Sequence, residues 1–155
     1  MSQSTLPAAG AELISVSIGG QLYAIDIMQV REIRGWNVST PLPHAPDHVL
    51  GMINLRGVIL PVVDLGARLG LGKATPGPSS VVMVAQVGDR QFGLLVDAVC
   101  DIVQVTEGLM QPPPDVGANV RDFVAGVMSL EQGIVSLLSL DNLLPATSEA
   151  YGMVA

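Results

Sequence analysis

The chain has 155 residues, with seven Lys plus Arg against fourteen Asp plus Glu, for a formal net charge of −7. That balance excludes nucleic acid as a ligand, because a phosphate backbone is held by clustered cations. A single cysteine excludes an internal disulfide or a cysteine-built zinc module. Apolar residues make up 49% of the chain, yet no run approaches the roughly 18 uninterrupted apolar residues of a spanning helix, so direct membrane insertion is not expected.

Residues 1–12 form a polar N-terminal tail without the basic start and apolar centre of a signal peptide. Together with the lone cysteine this points to a reducing, cytoplasmic location. Ile14, Val16 and Ile18 then alternate with Ser15, Ser17 and Gly19, the period of a half-buried strand. Gly19-Gly20 supplies a tight hairpin turn, and 21–26 returns. Ile27, Val30 and Ile33 follow as an apolar stripe on a short turn, with Glu32 beside it. Such a stripe either presents a groove for a partner's helix or is simply buried. Residues 49–55 and 58–64 make a second strand pair around Arg56-Gly57, and 65–69 is a short helical piece. Residues 73–80 (Lys-Ala-Thr-Pro-Gly-Pro-Ser-Ser) read as a joint. The same order then returns: 81–87 and 90–96 around Gly88-Asp89, 124–130 with 133–139, and helical 140–144. Residues 146–155 form a C-terminal tail.

The return of the pattern is an internal repeat. A shift of 69 lays 14–33 on 83–102 without a gap, matching Gly19 to Gly88, Tyr23 to Phe92 and Ile33 to Ile102. A shift of 75 lays 51–69 on 126–144, matching Gly51, Leu55 and Ile59 to Gly126, Leu130 and Ile134. The six-residue difference places an insertion around Pro112-Pro113-Pro114. Each copy holds about five strands, enough for one small barrel. The expectation is an all-β chain with short helical segments, organised as one domain over 13–145: barrel copy one over 13–72, the joint, and barrel copy two over 81–145.

Catalytic and cofactor constellations are not found. His44 and His48 are four apart, but Pro43 and Pro46 forbid the helical face that a metal pair needs. Residues 66–73 miss the first glycine and the Mg²⁺-binding hydroxyl of a phosphate loop. Cys100 lies in an apolar run with no base beside it and reads as a core filler. Asp26 and Asp64 end strands, where carboxylates cap the following turn. No catalytic residue, metal ligand or cofactor is assigned. Arg56 stands where the other copy has Glu131. The reversal suggests a task particular to one turn, either anchoring a partner's carboxylate or bracing the fold through Asp64 or Glu32.

Tyr23-Ala24-Ile25-Asp26-Ile27, Val30-Arg31-Glu32-Ile33, Gly51-Met52-Ile53-Asn54-Leu55-Arg56-Gly57 and Pro61-Val62-Val63-Asp64-Leu65 together resemble the CheW family of bacterial chemotaxis adaptors. The resemblance spans about 14–144. It implies two five-stranded, SH3-like barrel subdomains and a non-catalytic adaptor. Such an adaptor couples the hairpin tip of methyl-accepting chemoreceptors to the regulatory domain of the histidine kinase CheA, in the cytoplasm at membrane receptor arrays. Carried over by motif, the receptor-binding residues are Ile14, Ile27, Val30, Glu32, Ile33 and Arg56; kinase-facing residues are not assigned. Related couplers of twitching or gliding motility share the motifs and form the alternative reading. A small-molecule enzyme on a β scaffold is the alternative from another class.

Overall fold

The β-branched alternation becomes ten strands in a computed structural model that describes residues 8–36, 40–41, 43, 47–72, 76–113 and 123–143. The first copy contributes β1 (Glu12–Ile18), β2 (Gln21–Asp26), β3 (Val30–Gly35), β4 (Val49–Leu55) and β5 (Val58–Asp64). The second contributes β6 (Val81–Val87), β7 (Arg90–Val96), β8 (Ala98–Gln104), β9 (Val124–Leu130) and β10 (Gly133–Leu138). A 3₁₀ turn, Ile27–Gln29, joins β2 to β3, and one-turn helices α1 (Leu65–Arg68) and α2 (Leu140–Leu143) follow β5 and β10. Asp26 and Asp64 act as caps: Asp26 Oδ1 accepts from the Met28 amide at 3.0 Å and Asp64 Oδ1 from the Ala67 amide at 3.2 Å. Each carboxylate satisfies an amide that has no partner inside its own turn.

Two five-stranded sheets result, with orders β8-β1-β2-β10-β9 and β3-β6-β7-β5-β4. The chain changes sheet after β2 and again after β7. Each sheet therefore takes two strands from one copy and three from the other. This corrects the assignment of one barrel to 13–72 and the other to 81–145. The sequence repeat is real, but the parallel pairings β10 with β2 and β5 with β7 exchange strands between the copies. The physical cause is the short path through Ile27–Gln29 and through Asp97, which delivers β3 and β8 to the opposite sheet rather than back to their own hairpins. Exchanging the copies maps one sheet order onto the other.

The insertion is also divided. Thr40 bridges Met52 and Gln111 bridges Val127, each by two backbone hydrogen bonds of 2.7–2.9 Å. Thr40 and Gln111 are 71 apart and Met52 and Val127 are 75 apart, so two extra residues precede the bridge and four follow it.

Both faces of the central strands are buried. Leu13, Ala24, Met128, Val135 and Leu137 fill the concave side of the first sheet. Leu55, Leu60 and Val84, with Val62, Val82 and Leu95, fill that of the second. A larger shared core lies between the sheets and draws on both, including Val16, Tyr23 and Ile25 from one and Met83, Phe92 and Leu94 from the other. Each fully buried aliphatic side chain there contributes about 1.5–3 kcal/mol, so the shared core holds the two sheets against each other.

Candidate docking surface

The stripe foreseen on a short turn begins on the 3₁₀ turn and continues along an edge strand. Ile27 and Val30 rest half-buried against the shared core, and Ile33 projects, 44% exposed. In the ladder with β6, Val30 pairs with Ala85 but Glu32 pairs with Val84, leaving Arg31 in a bulge. Ile33 pairs with Met83 and so stands on the shared-core side, whereas Glu32 and Arg34, opposite Val84 and Val82, stand on the concave side. Arg31 Nε donates to Gln86 Oε1 at 2.9 Å. A bulge and alternating charges are what keep an uncovered edge from pairing indiscriminately.

The second copy builds the matching wall. β8 has its own bulge at the equivalent residue, Cys100, and Ile102 projects, 60% exposed, opposite Ile14. Ile14 is 6% exposed and belongs to the shared core. It lies at the floor beneath Ile102 rather than on the wall with Ile27, Val30 and Ile33. Cys100 is exposed, which corrects its reading as a core filler: Val99 and Val103 pack inward on the two faces of β8, and the bulge between them turns Cys100 out.

Arg56 occupies the β4–β5 hairpin turn with φ +53°, followed by Gly57 at +88°. The Gly57 amide donates to Asn54 Oδ1 at 2.9 Å, which fixes the turn. From there Arg56 Nη2 reaches Glu32 Oε1 at 2.9 Å, and Arg34 Nη1 reaches Glu32 Oε2 at 3.3 Å. The partner of Arg56 is thus Glu32, while Asp64 is buried at its cap. The Arg56 hydrogen bond is the largest cause holding the Glu32 carboxyl below its usual value, and Arg34 adds to it. The contact joins opposite edges of one sheet, β3 and the β4–β5 turn, so that sheet is curled around its own core. The gap left between those edges, lined by Arg34, Gly35, Ile53, Asn54 and Val82, has a volume of about 70 Å³. Small-molecule sites usually occupy roughly 300–1,000 Å³, so this gap does not suit a metabolite.

Of the residues foreseen, then, Ile27, Val30 and Ile33 share one apolar wall, Glu32 and Arg56 are joined beside it, and Ile14 is set apart in the core. Met28, 79% exposed on the 3₁₀ turn, was not foreseen, nor was Ile102 as an exposed wall residue. The repeat held the signal for Ile102, since it aligns with Ile33. Val58, Ile59 and Ile134 are further exposed aliphatics, on the two hairpins that end each sheet. His44 lies outside the described residues, and among those described no group of three His, Cys, Asp or Glu is placed to hold a metal ion. No helix among them is long and apolar enough to cross a membrane.

Comparison with known proteins gives a consistent answer. The family model described as CheW-like domain matches residues 12–148. The chain is 49% identical over 142 residues to "Chemotaxis protein CheW" of Rhizobium meliloti (strain 1021), covering 91% of this chain and 92% of that protein. It is 29% identical over 135 residues to "Protein FrzA" of Myxococcus xanthus, covering 86% and 84%. Among solved structures, the scaffolding protein TtCheW from Thermoanaerobacter tengcongensis superposes with a TM-score of 0.82 at 30% identity, covering 91% of this chain and 97% of that one.

Proposed function

Because the chain belongs to the CheW-like domain family, we propose that it is a chemotaxis coupling scaffold with no catalytic step of its own. It joins the hairpin tip of a chemoreceptor to the regulatory domain of the kinase CheA. The observation that carries this reading is the match of the family across 12–148. The wall formed by Ile27, Val30 and Ile33 on an uncovered edge strand, with the Glu32–Arg56 pair on the other face of that strand, supports it: an exposed apolar strip suits a protein contact. Work of this kind needs contacts that differ in energy between the kinase-on and kinase-off arrangements, not chemistry. Each contact can be weak, because an array supplies many neighbours. The protein acts in the cytoplasm, at receptor arrays.

Calorimetry against the CheA regulatory domain and a receptor hairpin fragment from the same cell tests the reading. Saturable binding of both is expected, with Ile33→Asp or Glu32→Lys weakening the receptor arm alone. Ile33 is the better apolar target than Val30, which is half-buried against the shared core. Absence of binding to either partner at high concentration sends the function elsewhere. A coupler for another motility pathway is the second reading, favoured by the match to a relative not named for chemotaxis.

A further inference from the structure

The two halves of the chain, up to residue 72 and from residue 76 onward, are interlocked rather than set side by side. Four of the eight strand ladders join a strand of one half to a strand of the other: β1 with β8, β2 with β10, β3 with β6 and β5 with β7. The remaining four stay within one half. All four apolar clusters also draw on both halves. Arg68 of α1 adds a polar contact of the same kind, its Nε donating to the Leu143 carbonyl of α2 at 2.8 Å. Against all of this the backbone crosses from one half to the other once, between α1 and β6.

The end of that crossing is lightly held. Pro76 to Ser79 are exposed. The turn into β6 is closed by the Ser80 amide donating to the Gly77 carbonyl at 3.1 Å and the Gly77 amide donating to Ser80 Oγ at 2.9 Å. Pro76 and Pro78 have no amide to donate, and their fixed φ suits an extended passage as well as a turn. Opening this turn costs few bonds. Every ladder and every cluster survives it, provided the complementary half comes from another chain.

We propose that residues 76–80 are a hinge and that two copies of this chain exchange halves. In the resulting dimer the first half of each chain is completed by the second half of the other. The closed chain and the exchanged dimer share the same contacts between halves, so the closed chain is favoured by the nearness of its own second half. Mass action moves the balance towards the dimer as concentration rises. The proposal stands or falls independently of receptor docking, since it uses no residue of the docking wall as a contact with a receptor.

The test uses the full chain carrying Glu12→Cys and Gln104→Cys, an exposed pair facing each other across the β1–β8 ladder, in a Cys100→Ser background. The protein is unfolded under reducing conditions, refolded at low and at high concentration, and oxidised only afterwards. Size-exclusion chromatography then gives the assembly, and a denaturing gel without reductant shows which chains are linked. Refolding at high concentration should give a dimer whose disulfides run between chains, so that it remains a dimer on the gel. Refolding at low concentration should give a monomer with its disulfide internal. Deleting Pro76, Gly77 and Pro78 should raise the dimer fraction several-fold, because a shortened reversal strains the closed chain and not the open one. If that deletion prevents folding, the concentration series with the intact hinge decides alone. A dimer whose disulfides stay within each chain is a side-by-side contact and overturns the inference. A monomer at every concentration with the intact hinge overturns it as well.

Discussion

The two hairpin ends make the most instructive comparison in the molecule. At the β4–β5 end, Arg56 sits in the left-handed region at φ +53° and reaches Glu32 across the sheet. At the β9–β10 end the same positions hold Glu131 and Asp101, and the left-handed residue is Gly133 at φ +133°. Among the described residues Arg56 is alone as a non-glycine with positive φ. That conformation costs an ordinary residue roughly 1–2 kcal/mol. The second copy makes an equivalent two-residue hairpin without that cost, so the fold needs a turn here but does not need an arginine. What is common to the two ends is architecture; what differs lies at the exposed surface.

The most severe way to break the comparison is to separate the copies. Residues 1–75 and 76–155 expressed alone should each fail to melt cooperatively, because each half lacks the strands that complete either sheet. Mixing them should restore a cooperative transition in circular dichroism. A half that melts cooperatively by itself would show that a copy can close its own sheet, against the observed exchange. A smaller break is available inside the matched cores. A Cβ built on Gly93 would lie 2.8 Å from Val82 Cγ1, so Gly93→Val should destabilise by about 1–3 kcal/mol through overpacking. The equivalent Ala24 already carries a Cβ within the other sheet's core, and Ala24→Gly should cost about 0.5–1 kcal/mol. Denaturant melts of the two variants read the difference directly.

A third variant pair addresses function. Arg56 is 70% exposed, and exposed ion pairs add little to stability. Arg56→Ala should therefore leave the melting temperature nearly unchanged while weakening receptor-hairpin binding, and Glu131→Ala should leave the melting temperature equally untouched. A collapse of the melt in Arg56→Ala would assign the arginine to bracing after all.

Period-two alternation and glycine turns made the hairpins and the repeat legible in the sequence, because local backbone preference and one-sided burial act within a few residues. The exchange of strands was not legible. Nothing in the order of apolar residues distinguishes a parallel partner from one's own copy from a parallel partner from the other. The apolar residues of 27–33 recur at a spacing of three, as on a helical turn, but a 3₁₀ turn followed by a bulged edge strand produces the same spacing, since the bulge at Arg31 resets the parity. The bulge also explains Cys100. An apolar neighbourhood predicts burial only while alternation holds, and at 100 it slips by one. Glu32 and Arg56 were within reach of sequence reasoning because a charge reversal between aligned turns asks for an explanation. The choice of Glu32 over Asp64 depended on the curl of a sheet, which no local pattern encodes.

The finest test of the comparison is electrostatic and concerns Glu32 alone. Its carboxyl is held below its ordinary value of 4.5, chiefly by the Arg56 hydrogen bond. A group whose folded value is depressed contributes stability above the unfolded value and loses that contribution as the pH falls through the folded one. The small stability difference between the unaltered protein and Arg56→Ala should therefore be constant near neutrality and shrink in acid below 4.5. Carbon-detected NMR titration should find the Glu32 carboxyl moving up in Arg56→Ala, because its largest source of stabilisation is gone. Arg34→Ala should move it less, since that contact is the longer one at 3.3 Å. If Glu32 titrates at the same value in all three proteins, the contact across the sheet is not populated in solution. The β4–β5 end would then differ from its counterpart in its residues and turn backbone alone, with its arginine free to meet a partner directly.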